Sequence, residues 1–222
     1  SEFMADQQLN FVNNIFSANG SATYPTTGTG GYVQFNTTKT LQFLAGGQSV
    51  NAEDPPVTAD GFLSSPYAWL GYVQWTPAFK GLGAAQYSLT LYQSPAVTDH
   101  SAAHGWSINA VQHLNDQWAV FGRLNASSDD SGGNKRSFGI GVAFDNPLGR
   151  AAGDQIGIAF GSLEQKLPLP FVTLQHTQNT LETYWNWSLL GNLLLTPDAH
   201  RYSLQIEQRL DFVAEDDADI LS

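Results

Sequence analysis

From Gly31 to Phe212 apolar and polar side chains trade places residue by residue, segment after segment, and no helical period competes with that alternation. A β-strand turns successive side chains to opposite faces, so each segment has one apolar and one polar face. In "SFGIGVAFDNPLGR", Phe138, Ile140, Val142 and Phe144 are large and apolar, while Gly139, Gly141 and Ala143 between them are small. Asn146-Pro147 stops the run. The small side should leave space beside a sheet whose other side suits an apolar medium.

The same reading extends along the chain. Val33 and Phe35 alternate with Gln34 and Asn36, and Leu41 and Phe43 with Gln42; Tyr67, Trp69, Val73 and Trp75 share one face. Leu89 and Leu91 oppose Gln86, Ser88 and Thr90; Trp106 and Ile108 oppose Ser107 and Asn109; Trp118, Val120 and Leu124 oppose Gln117, Arg123 and Asn125. Ile156, Ile158 and Phe160 follow, then Leu181, Trp185 and Trp187 against Glu182 and Asn186, and last Leu204, Ile206, Leu210 and Phe212 against Gln205, Glu207, Arg209 and Asp211. About ten strands result.

The connections alternate in length. Short turns fall near Thr38, Phe79, Asn115, Pro147 and Gly191, and longer polar or Pro-rich stretches at 51–66, 94–104, 126–134 and 162–179. In an up-and-down meander every second connection lies at the same end, so one end is trimmed and the other carries loops. That layout, with strands of membrane-crossing length, predicts an all-β antiparallel transmembrane β-barrel with short periplasmic turns and long extracellular loops. Composition agrees: charged residues are only 13% of the chain and aromatic residues 12%, the former about half the share usual in soluble domains. The competing reading is a soluble β-sandwich that binds sugars or serves as a surface-interaction module; it needs Leu89, Leu91, Phe138 and Ile140 buried against a second sheet.

Other function classes recede. Nine cations in a chain of net charge −11 form no basic patch for nucleic acid. With no cysteine there are no disulfides or thiolate metal sites, and the apolar runs are too short for a transmembrane helix. His100 and His104 have helical ligand spacing but lie in a loop with no glutamate between them, and the acidic groups at Asp129-Asp130 and Glu215 to Asp219 lack the pattern of a calcium loop. No catalytic residue, metal or cofactor is expected. Residues 1–4 read as vector-derived, 5–29 as an N-terminal segment with a helical stretch near Gln7 to Phe16, 30–212 as the barrel or a barrel portion, and 213–222 as an acidic tail.

"ATYPTTGTGGYVQFN", "GWSINAVQHLNDQWAVFGRLNASSD", "GIGVAFDNPLGRAAGDQIGIAFG" and "ETYWNWSLLGNLLLTPDAHRY" resemble the carbohydrate-selective porins, the OprB type, of Gram-negative outer membranes. The resemblance implies a water-filled barrel that passes sugars by passive diffusion. It also implies a chain nearly twice as long, so this one matches a C-terminal portion or a compact relative. Phe212 resembles the aromatic that ends an outer-membrane strand, although "VAEDDADILS" follows it. On this reading the surroundings are a lipid bilayer with lipopolysaccharide, the solutes are small sugars, and the assembly is a homo-oligomer. Arg123, Glu182, Asn109, Asn125, Gln117, Asn186, Gln86, Glu207 and Arg209 are the candidate lumen residues that meet the solute.

Overall fold

The computed structural model describes residues 30–50, 66–96, 101–128, 134–149, 154–169, 172–189, 193–195 and 202–213. All regular structure among them is β: β1 (Gly30–Asn36), β2 (Leu41–Ser49), β3 (Tyr67–Trp75), β4 (Ala85–Ser94), β5 (Ala103–His113), β6 (Trp118–Ser127), β7 (Asn134–Asp145), β8 (Gln155–Leu169), β9 (Val172–Leu189), β10 (Leu193–Leu195) and β11 (Tyr202–Val213). Strands β1 to β9 form one antiparallel up-and-down meander. The short β10 and the long β11 both pair with β9, so eleven strands fill ten positions. Among the described residues β1 pairs only with β2, and β11 only with β9. The all-β meander read from the sequence is thus observed, and the described strands do not include a pair that closes it.

The turns have local causes. Between β5 and β6 the Asn115 side-chain oxygen accepts from the backbone N–H of Gln117 (2.9 Å) and Trp118 (2.8 Å), which replaces ladder bonds with an Asx-type turn. After β7, Asn146 takes φ 49° and Gly149 φ 63°, and the Gly149 N–H bonds the Asn146 carbonyl at 3.0 Å. Asn and Gly are the residues that tolerate this left-handed region.

One face of the sheet is apolar and exposed. Leu91, Ile108, Leu124, Phe138, Ile140, Val142, Ile158, Phe160 and Leu181 all point out from it. No second sheet covers them among the described residues, so the burial that a sandwich requires is not found. At the short-turn end Trp75, Phe79 and Tyr87 form a cluster in which Phe79 meets both other rings edge-on, and Trp118 stacks on Phe144 at 4.4 Å between ring centres. At the other end lie Tyr67, Trp69 and Trp106. Along β3 the two belts are about 20 Å apart at ~3.3 Å per residue. Two aromatic girdles flanking an apolar band are what a sheet spanning a membrane presents to lipid.

The structure corrects two expectations here. Of positions 162–179, read as a long loop, 162–169 and 172–179 are strand: β8 runs to Leu169, β9 starts at Val172, and the two pair as the arms of an extended hairpin. The small residues facing inward do not simply leave space. A Cβ at Gly141 would lie 2.3 Å from the Phe121 ring, and one at Gly157 would lie 2.1 Å from the Tyr184 ring. Each glycine is the direct cross-strand partner of that aromatic residue, so the ring lies across the neighbouring strand where a side chain would otherwise stand. The proposed helix near Gln7, most of the 51–66 loop and the tail beyond Val213 lie outside the described residues.

Candidate lumen surface

Register assembles the polar face. One lateral row joins Asn36, Gln42, Gln74, Ser88, Asn109, Arg123, Gly139, Gly161, Thr180 and Gln205, one residue from each of ten strand positions. Its first six members are all polar. They come from six separate segments, and only the uniform pairing of the meander brings them level.

Hydrogen bonds tie neighbours along and beside this row. Arg123 Nε donates to Asn109 Oδ1 at 2.5 Å, and Asn109 Nδ2 donates to Ser88 and Ser107 hydroxyls, both at 3.4 Å. Gln74 Oε1 accepts from the Tyr72 hydroxyl (2.6 Å) and from Gln86 Nε2 (3.2 Å). Asn125 Nδ2 donates to Ser137 Oγ at 2.8 Å. Nearer the short turns the Tyr184 hydroxyl donates to Gln155 Oε1 at 2.5 Å, and Gln155 Nε2 donates to Asp145 Oδ1 at 2.7 Å.

The sequence candidates divide. Arg123, Asn109, Asn125, Gln86, Glu182 and Asn186 lie on the inner face, and Glu207 pairs in register with Gln178 of the same series. Gln117 does not lie in a strand; it sits in the exposed turn before Trp118, held by Asn115. Arg209 falls at a register shift: Gln208 pairs with Thr177 and Leu210 with His176, so Arg209 is the extra residue of a bulge. Beyond it Leu210 pairs with His176 and Phe212 with Leu174, so the parity of the pairing with β9 changes at the bulge. His104 bonds the Ser128 hydroxyl at 3.0 Å, and the described residues hold no cluster of three metal-ligating side chains.

Burial divides the inner face further. Arg123 is 8% exposed, Asn125 3% and Glu182 1%, beside an apolar cluster of Val111, Ala119, Phe121, Ala143, Ala159, Leu163 and Tyr184. From β5 to β9 this face is filled. Over β1 to β3 it is open: Gln34 and Asn36 are exposed and Gln42 and Gln74 half-buried. Sequence reasoning missed the Tyr184, Gln155 and Asp145 chain. Shared parity was the available signal, but pairing across strands was needed to see it.

The Tyr184 hydroxyl gives a direct check. Tyr184→Phe keeps the ring over Gly157 and removes the donor to Gln155. A part-buried acceptor that loses its partner costs about 1–3 kcal/mol, so the unfolding midpoint of the refolded protein in detergent should fall; an unchanged midpoint would show that the bond contributes nothing net.

No protein-family model matches the chain. The protein named Porin AaxA of Chlamydia pneumoniae is 31% identical over 201 residues, 89% of this chain and 46% of the relative. Porin AaxA of Chlamydia felis (strain Fe/C-56) is 32% identical over 202 residues, 89% of this chain and 45% of that relative. The chain is a porin homologue. It spans just under half the length of these curated relatives. In fold the porin homologue is similar to the solved chain described as the high pH structure of Pseudomonas putida OprB, with a TM-score of 0.51 at 14% identity, covering 71% of this chain and 53% of that one. That likeness concerns the fold, and it agrees with the antiparallel meander. The Gram-negative outer membrane expected from the sequence is the location that these porin relatives support.

Proposed function

We propose that the porin homologue forms the wall of an outer-membrane pore through which small polar solutes, sugars among them, diffuse passively. The observation that carries this reading is the polar row from Asn36 to Arg123 on one face of a sheet whose other face is apolar and ringed by aromatics. Neutral amides and hydroxyls both donate and accept, so they can exchange hydrogen bonds with solute hydroxyls. Conduction needs contacts that guide a solute and then release it, and many weak hydrogen bonds meet that need better than one strong charge. The porin relatives favour a channel over an enzyme. Lipid and lipopolysaccharide would cover the outer face, and copies of the chain would assemble side by side.

Reconstitution tests the reading. Purified protein should add stepwise conductance to planar bilayers and let liposomes swell in solutions of small neutral sugars. Protein that inserts with heat-modifiable mobility yet gives neither conductance nor swelling would make the inner face a filled structural core.

A further inference from the structure

We propose that the solute-contacting subsite lies in the recess over β1 to β3, formed by Gln34, Asn36, Gln42 and Gln74, and that it takes neutral polyols through their neighbouring hydroxyls. The inference rests on the porin reading and moves the contact away from Arg123 and Glu182. Those two are almost entirely covered, so a passing solute has little of them to touch. The recess is instead an open space of about 570 Å³ at the short-turn end of the inner face. Asn36, Gln42 and Gln74 are consecutive cross-strand partners, so three carboxamides stand side by side across three strands. Strands lie about 4.8 Å apart, a spacing that lets one six-carbon polyol reach two or three amides at once.

The chemistry of the lining selects the ligand class. Among the described residues it contains amides and threonine hydroxyls with one ammonium, Lys39, and one aliphatic side chain, Leu41, and no carboxylate or aromatic ring. Gln34, Asn36 and Gln42 make no side-chain hydrogen bond to another described residue, so their donors and acceptors are available. Gln74 already accepts two bonds at Oε1, which leaves its NH₂ group to donate. Hydroxyl pairs match this mixture, whereas a methyl-capped polyether of equal size can only accept.

The test uses the whole protein in planar bilayers, with current block by glucose and sorbitol compared against the dimethyl ether of a polyethylene glycol of similar size. Gln42→Met with Gln74→Met keeps side-chain length and removes the amides. The polyols should then need about ten times more concentration for half block, as expected when two or three weak hydrogen bonds are lost, while the polyether curve stays put. Equal losses for polyol and polyether, or no loss, would overturn the subsite. If the double variant refolds poorly, Gln42→Met alone should give a smaller shift in the same direction, and no shift counts against the proposal. If wild type inserts but does not conduct, the porin reading fails separately, and saturation-transfer NMR with glucose on the refolded protein still decides the subsite: a signal lost in Gln42→Met supports it, and no wild-type signal overturns it.

Discussion

Ile140→Arg should leave most of the protein outside the bilayer. Ile140 lies midway along β7, is 60% exposed and points out from the apolar face between the two aromatic girdles. An arginine at the midplane of an outer-membrane sheet costs about 2–4 kcal/mol. That is a loss of roughly 30- to 1000-fold in the equilibrium between inserted and free protein. Folding into lipid vesicles, read by heat-modifiable mobility, should drop to a small fraction of wild type, while Ile140→Leu stays close to it. Normal insertion of the arginine variant would mean that this face does not meet lipid.

Gly157→Ala should be nearly as damaging, and a second substitution should repair it. The new methyl would sit 2.1 Å, 2.5 Å and 2.8 Å from three atoms of the Tyr184 ring, far inside contact distance. Tyr184 is fully buried, so the ring has nowhere simple to move. Overpacking of this kind costs about 1–3 kcal/mol. All three close contacts come from one side chain, so Tyr184→Ala in the same protein should recover much of the folding yield that Gly157→Ala loses. A double variant no better than the single one would break the proposed pairing. Gly141 behaves differently, because its added Cβ would also meet the Ile158 carbonyl at 2.7 Å; truncating Phe121 would not free it fully.

What the sequence shows and what it hides follows from where each strand sits. Between the girdles lipid demands an apolar side chain at every second position, and there Phe138 to Phe144 and Ile156 to Phe160 could be read directly. Past that band nothing enforces alternation. "LEQKLPLP" therefore looks like a loop, although most of it continues β8. The bulge at Arg209 is invisible for a related reason: an extra residue shifts parity without any change of composition. The filling of the inner face was harder still to foresee. Gly141 and Gly157 are small in sequence, yet the rings above them belong to residues 20 and 27 positions away along the chain, and only register identifies them. The candidate lumen set inherits this limit: parity put Arg123, Asn125 and Glu182 on the inner side, but their coverage depends on neighbours from other strands.

The extended hairpin gives the wall an uneven height. Its last pairing with β7 is Asn134 with Gln165, and beyond that point Lys166 to Leu169 and Val172 to Gln175 continue with β11 alone beside β9. Four residues of strand add about 13 Å. A pore mouth bounded by such a parapet draws solute from a restricted sector of the surrounding solution, so its access resistance exceeds that of a level rim with the same bore. In a pore walled by this sheet, solute would meet the lower strand rim on the side of the shorter strands β1 to β6.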